Sequence, residues 1–316
     1  MTTPLVLDLD LAMGAPGSDV DDGFALALAV ADPALDLRLV TTVNGNTDVQ
    51  TATVLTAELL HQLGASSAPL HRGANRALLH PQSRTGQVPA GVPVRPPQPG
   101  HAVTALVETV RARPGELTLV AIGPLTNVAL AMLLAPDFAG SLRSLVIMGG
   151  VFGGTTGVAD MPGEFNVWSD PDAARVVLQS GVAATWVGLD VTRQVRLTRA
   201  AAQSMTTDPR PFVAFAGRYS VAWIDHLAAG EDVGVTSCAL HDPLAVAAVS
   251  RPELLTLADA HLQVQLDGVA RGVLVAERVV PGTGRTPSGR EPNAQIAVGV
   301  DAAGFSRYFL DTLGRL

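Results

Sequence analysis

Short apolar runs alternate with helix-length patterns from the first residues of the chain. Leu5-Val-Leu-Asp-Leu9 predicts a strand and Asp22–Ala31 a helix; Leu37–Val43 predicts a second strand, followed by a helix over Val49–Leu63. The alternation returns with strands at Leu117–Ile122, Leu145–Met148 and Ala184–Leu189, separated by helices at Asn127–Leu134 and Asp170–Gln179. Near-continuous apolar strands between helices indicate an α/β architecture, a mostly parallel central sheet with helices on both faces. In such sheets ligands sit beyond the carboxyl ends of the strands, so chemistry is to be sought in the residues just after each strand.

Two segments interrupt the alternation. Pro81–Pro99 holds six prolines and no helix-length pattern, and Gly149–Gly163 is dominated by glycine. Loops of this length are either functional covers or disordered linkers. Neither separates halves of different composition, so both are read as loops over a site, and residues 1–316 as one domain. Later, Pro211–Ala229 sets Phe212, Phe215, Tyr219, Trp223 and His226 at spacings of three and four, a helical stripe. Core packing explains such a stripe, and so does an aromatic wall lining a site.

Composition narrows the chemistry. Hydrophobic residues make up 47% and charged residues 16%, which supports a large core and excludes disorder for most of the chain. The net charge of −8 argues against a nucleic-acid surface, which needs a clustered positive face. All 21 positive residues are arginines; with no lysine, Schiff-base enzymes, a P-loop lysine and a lysine general base are excluded. The single cysteine, Cys238, excludes an internal disulfide and multi-cysteine metal sites. The N-terminus lacks a basic leader, and the uncharged stretch Leu117–Pro136 is broken by Gly123, Pro124, Thr126 and Asn127, so no membrane segment is expected. A soluble, cytoplasmic protein follows as the simplest expectation.

Five of the 29 acids, Asp8, Asp10, Asp19, Asp21 and Asp22, fall within fifteen residues, around a turn between the first strand and the first helix. Ser18 or Asp19 is a good N-cap, and acids suit a first helical turn, which accounts for one or two of the five. Capping does not explain Asp10 at a strand end facing the same turn. Carboxylates gathered on a turn suit a hard cation with oxygen-only ligands, Ca²⁺ or Mg²⁺. Two further motifs stand out. His241-Asp242-Pro243 precedes the helical Leu244–Val249, where capping is the ordinary role. Glu164-Phe-Asn166 precedes Asp170-Pro171, a helix start. Capping is the default for Asp170 but is not expected of Glu164 and Asn166, whose carboxylate and amide can bond neighbouring sugar hydroxyls.

In this order the motifs resemble the nucleoside hydrolases of the inosine–uridine type. The likeness rests on Asp8-Leu-Asp10, Asp21-Asp22, Thr41-Thr-Val-Asn-Gly-Asn46, Gly123-Pro-Leu-Thr-Asn127, Val146-Ile-Met-Gly-Gly150, Glu164-Phe-Asn166, Val187-Gly-Leu-Asp190 and His241-Asp-Pro243, which span most of the chain. The resemblance implies a Rossmann-like parallel sheet with Ca²⁺ at its carboxyl edge, and hydrolysis of a ribonucleoside's N-glycosidic bond to free base and ribose. It implies Asp10, Asp22, Asp242 and the Thr126 backbone carbonyl as metal ligands, with Asp10 also the general base. Asp21, Asn46, Glu164 and Asn166 would bind the ribose hydroxyls and 5′ end, with Met148 close by, and His241 would face the leaving base as general acid. A homodimer or homotetramer is implied as well.

The chain departs from the family pattern in three places. Ten residues stand between Asp10 and Asp21, more than the family's short spacing, and this turn either bulges away or crosses the pocket mouth. The family's histidine near residues 80 to 90 has only His80, Arg84 and Gln87 as candidates. The asparagine before Glu164 is missing, with Thr155, Thr156 or Asp160 as substitutes. Two rival functions share some of these features: a phosphatase of haloacid-dehalogenase type, which normally pairs its aspartates with a lysine absent here, and a non-catalytic ribose- or nucleoside-binding protein, which needs no water-activating Asp10. A Cys238 nucleophile has no thiolate-stabilising neighbour except His241.

Overall fold

The computed structural model describes residues 2–15, 17–80, 83–230 and 234–316. The chain begins with β1 (Thr3–Leu9), α1 (Asp21–Ala31), β2 (Leu35–Thr42), α2 (Val49–Gln62) and β3 (Leu70–Arg72). It continues with α3 (Ala102–Ala112), β4 (Thr118–Ala121), α4 (Thr126–Leu134), α5 (Phe138–Ser141) and β5 (Ser144–Met148). Next come α6 (Phe165–Ser169), α7 (Pro171–Gln179), β6 (Ala184–Val187), α8 (Leu189–Thr192), β7 (Arg196–Thr198), α9 (Arg199–Met205) and α10 (Pro211–Ala229). The last elements are β8 (Ser237–Ala239), α11 (His241–Ser250), β9 (Leu255–Val264), β10 (Leu274–Arg278), β11 (Ala294–Val300) and α12 (Ala302–Leu313).

Nine strands form one sheet in the order β10-β9-β11-β6-β5-β4-β1-β2-β3, and β7 pairs with β8 apart from it. Every pairing from β3 to β11 is parallel, whereas β9 runs antiparallel to both β11 and β10. The chain winds outward from β1 through β2 and β3, then returns to place β4 on the other side of β1. That reversal makes a switch point between β1 and β4, and ligands of parallel sheets bind in the crevice outside such a point. Asp10 leaves β1 there, and Ile122-Gly123 leaves β4 beside it.

Strand alternation divides the core. Leu5, Leu7 and Leu9 of β1 pack with α1, α11 and α12 on one face, while Val6 packs with α3, α4 and α7 on the other. Phe24 of α1 stands edge-on to Phe309 of α12 at 5.2 Å and to Phe212 of α10 at 6.4 Å. Such pairs add about 1 kcal/mol each to the burial of their rings, and here they anchor the helix whose first turn carries Asp21 and Asp22. Met13 of the long β1–α1 turn is fully buried against the same helix; a Cβ on Gly23 would come within 2.4 Å of its sulfur. Both long loops lack helix and strand among their described residues. No helix among the described residues is long and apolar enough to cross a membrane.

Candidate active site

The acids converge at the switch point. Carboxylate oxygens of Asp21, Asp22 and Asp242 lie within 4.8 Å of one another, all three residues buried. Asp21 and Asp22 come from the first turn of α1 and Asp242 from that of α11; the Asp242 N–H donates to Asp21 Oδ2 (3.2 Å). Asp10 adjoins the group: its N–H donates to Asp22 Oδ1 (3.2 Å), and its own Oδ2 accepts from the Asn46 N–H (2.7 Å). The Asn46 amide in turn donates to Asp22 Oδ2 (3.0 Å). Asp10 Oδ1 is buried without a hydrogen-bond partner among the described residues. Gly45 is required beside it, because a Cβ there would sit 1.9 Å from Asp10 Oδ2.

Burial shapes the titration of these groups. Desolvation, and then the charges of its acidic neighbours, push Asp10 up to about 8 and Asp21 up to about 7. Asp22 and Asp242 are raised well above the ordinary carboxylate range for the same reasons. Asp19 is raised as well, by burial and then by the charge of Asp21. Two unit charges about 4 Å apart repel by about 4 kcal/mol at an effective dielectric of about 20, whereas a helix cap returns about 1 kcal/mol. Capping alone therefore does not justify three touching carboxylates. A metal ion bound by oxygen atoms does.

Asp8 belongs to a different setting. Its side chain points to the Val6 face, where Thr41 Oγ1 (2.5 Å) and Asn127 Nδ2 (2.8 Å) donate to it, and burial raises it to about 7. Asn127 also donates to the Thr42 carbonyl (2.9 Å) and accepts from the Ala74 N–H (2.9 Å), tying β1, β2 and the segment after β3 together behind the site.

A pocket of about 430 Å³ opens above the acids, with Asp19, Asp21 and Asp242 in its wall. Asn46, Met148, Glu164, Asn166 and His241 also line it, as the sequence leads one to expect. Asn166 is held by donation from Nδ2 to the carbonyls of Ile122 (2.8 Å) and Met148 (3.3 Å). Glu164, contrary to expectation, does cap a helix: its carboxylate accepts from the N–H groups of Asn166 (2.8 Å), Val167 (3.2 Å) and Gly150 (3.0 Å). The cap holds the carboxylate in place while it still reaches the pocket, so one side chain serves both ends.

Thr126 is misplaced in the expected ligand set. It opens α4, its hydroxyl donates to Asp170 Oδ2 (2.7 Å), and it lines a separate recess with Pro124, Trp168 and Asp170. As the first residue of a helix, its carbonyl is turned into the helical ladder. The carbonyl just past β4 that belongs to a pocket-lining residue is that of Ile122, four positions earlier. Strand ends and helix starts lie so close in this turn that the motif alone does not tell them apart.

The departures from the family pattern resolve as follows. The long β1–α1 turn borders the pocket, since Gly17, Ser18 and Asp19 line it. Of the three candidates for the missing histidine, Arg84 reaches the pocket, its guanidinium 5.0 Å from the centre of the Phe165 ring, while His80 pairs with Asp172 at 3.5 Å. Thr156 of the glycine-rich loop reaches the pocket too. The aromatic stripe divides: Phe212 is core, whereas Trp223 lines the pocket. His241 opens α11 with Nδ1 2.7 Å from Thr192 Oγ1, and burial together with the charges of Arg193 and Arg196 lowers it to about 4. Cys238 is buried, and desolvation pushes its thiol up to about 12, which excludes it as a nucleophile. Arg193, which the sequence reading did not single out, lines the same pocket.

Acids that need a cation, beneath a pocket offering an amide and a carboxylate for hydroxyl groups, define a carboxylate enzyme acting on a sugar-like substrate. Comparison with known proteins narrows this class. The family model described as inosine-uridine preferring nucleoside hydrolase matches residues 5–307, and the chain belongs to that family. The non-specific ribonucleoside hydrolase RihC of Klebsiella pneumoniae is 34% identical, with 99% of each chain covered. Among solved structures, a plant nucleoside hydrolase superposes with a TM-score of 0.86 at 26% identity, covering 99% of both chains. A purine-preferring ribonucleoside hydrolase from Gardnerella vaginalis gives 0.85 at 26% identity, covering 98% of both.

Proposed function

We propose that the protein hydrolyses the N-glycosidic bond of ribonucleosides to free base and ribose, with bound Ca²⁺ and with Asp10 activating water. The Asp10 carboxylate carries the reading: it leaves β1 beside Asp22 and Asn46 beneath the pocket, with Oδ1 buried and unpaired among the described residues. A mere binding protein has no use for such a group. Asp10, Asp22 and Asp242, with the Ile122 carbonyl in the place expected of Thr126, would hold the cation; Asp21, within the same cluster, lies between this role and the ribose. When bound, the cation offsets the carboxylate charge and polarises water.

The chain's own residues do the rest. Asp21, Asn46, Glu164 and Asn166 orient the ribose hydroxyls and 5′ end beside Met148. The water oxygen bonds to C1′ as its proton passes to Asp10, and the C1′–N bond breaks with its electron pair moving onto the base, which takes up a proton as it leaves. Buried carboxylates stabilise the positive charge that builds on the ribose ring. His241 faces the base, but a pKa of about 4 leaves it neutral at pH 7 and a weak donor.

A ribose-release assay over purine, pyrimidine and nicotinamide ribosides, with and without chelator, tests the proposal. Release of ribose and base that stops in chelator and returns with Ca²⁺ is the expected result. Tight binding without release would favour the binding-protein reading, and phosphate release from nucleotides the phosphatase. The single working domain, the homo-oligomer and the cytoplasmic location belong to the same proposal, the oligomer resting on the resemblance; light scattering and fractionation test the last two.

A further inference from the structure

A second cavity lies behind one wall of the pocket. It holds about 220 Å³, and Arg84 and Phe165 line it as well as the pocket, so the two share that wall. Its polar lining is largely committed within the protein. The Asn44 amide donates to the Arg84 carbonyl (2.9 Å) and accepts from the Arg84 N–H (3.0 Å). Asp170 accepts from the Thr126 hydroxyl (2.7 Å) and from two backbone N–H groups, those of Leu78 and Ala173. The rings of Phe165 and Trp168 supply apolar surface. A cavity whose polar groups already have partners takes an apolar guest at least cost. Arg84 is a movable part of the shared wall. Asn44 fixes its backbone from both sides, but the guanidinium is exposed and rests only on the face of Phe165, 5.0 Å from the ring centre, with no hydrogen-bond or ion-pair partner among the described residues. Such a contact is weak where water competes, so the side chain can turn aside.

From this placement we propose that the cavity is a subsite for an apolar substituent on the ribose 5′ carbon, an alkylthio group above all, so that the enzyme cleaves 5′-deoxy-5′-alkylthio ribonucleosides as well as ribonucleosides. The inference rests on the riboside-hydrolase reading above and deepens it by naming a substrate class. Phe165 stands between Glu164 and Asn166, the residues assigned there to the ribose 5′ end, and so joins that end to the cavity. Asn166 Nδ2 already donates to the carbonyls of Ile122 and Met148, which leaves it no N–H for a 5′-hydroxyl. A thioether needs none: its polarizable sulfur packs against aromatic rings, here Phe165 and Trp168. A 5′-phosphate fits less well, since its charges would meet the carboxylates of Glu164 and Asp170 with Arg84 as the one cation lining the cavity among the described residues. The reaction is the same hydrolysis, releasing the base and a 5-alkylthioribose.

The test takes the base that the riboside panel shows to be cleaved fastest and compares four forms of its nucleoside: the parent, 5′-deoxy, 5′-deoxy-5′-methylthio and 5′-phosphate. Wild type is expected to cleave the methylthio form with a kcat/KM at least about tenfold above that of the 5′-deoxy form, the effect of burying one such group. Ala77→Phe, which fills the cavity from a residue outside the catalytic group, is expected to abolish that advantage while leaving the parent nucleoside's kcat/KM within about twofold. Ser169→Leu fills it from the other side and serves if the first variant does not fold. A methylthio form no better than the 5′-deoxy form, an advantage that survives filling, or a preference for the phosphate would each overturn the subsite while leaving the hydrolase reading intact. If wild type cleaved no member of the panel and no methylthio form of inosine or adenosine, the hydrolase reading itself would fall.

Discussion

Asp8 and Asp10 stand two residues apart on one strand and end in different surroundings. Alternation sends Asp8 to the Val6 face, where Thr41 and Asn127 bind it, while Asp10 leaves the strand at the switch point and meets Asp22 and Asn46. The motif shows two acids; only the pleat and the strand end say which one joins the acid cluster beneath the pocket. Asp10→Asn keeps the size of the side chain and an oxygen atom but cannot take the proton. It should lower kcat at least about a hundredfold while changing KM less, as steady-state kinetics on any accepted riboside will show. An unchanged kcat would transfer the role to Asp19 on the lengthened turn.

At the scale of elements, helix starts deliver the chemistry. α1 delivers Asp21 and Asp22, α6 is capped by Glu164, and α11 delivers His241 and Asp242, each helix opening at the carboxyl edge of the sheet. Asp170 is the supporting case: its carboxylate accepts from the Ala173 N–H (3.1 Å), the Leu78 N–H (2.9 Å) and the Thr126 hydroxyl (2.7 Å), joining α7, α4 and the segment after β3. Asp170→Ala removes a cap and leaves one buried and one part-buried donor unpaired, so it should cost about 2–4 kcal/mol. Denaturant unfolding measures that loss, and a fall in kcat comparable to that of Asp10→Asn would show that Asp170 does more than hold the frame. The strands of the C-terminal third were legible in part. Ala258, Ala260, Leu262 and Val264 alternate with Asp259, His261 and Gln263, the half-solvated pattern of an antiparallel strand, yet the parallel βα rhythm upstream drew no attention to it.

For the whole molecule, the acid cluster couples folding to pH and to metal. An unfolded aspartate releases its proton near pH 4, whereas in the folded chain Asp8 and Asp21 hold theirs to about 7 and Asp10 to about 8. Between those values the native state binds more protons than the unfolded state, so stability falls as pH rises. Chelator-treated protein should therefore melt at a higher temperature at pH 5 than at pH 8. Saturating Ca²⁺ should raise the melting temperature most at pH 8, where the carboxylates must otherwise ionise against one another. Differential scanning calorimetry at the two pH values decides it, and a metal-free protein that grows more stable toward pH 8 would refute the cluster's electrostatics.

The linear sequence determined the class of fold, because hydrophobic periodicity and helix length are local properties, and it brought the acids, Glu164, Asn166 and His241 into view through their spacing from strand ends. It also showed that a lysine-free chain must do without lysine chemistry. Tertiary structure alone decided which acids touch, since Asp242 meets Asp21 across the fold and no spacing measures that distance. It placed Thr126 inside α4 and left Ile122, whose carbonyl we propose as the main-chain ligand, at the pocket, a matter of where strand ends and helix begins. It also brought Arg84, Arg193 and Trp223 to one pocket from distant segments, because a loop residue's address depends on what its neighbours in space bury, not on the residues beside it in the chain.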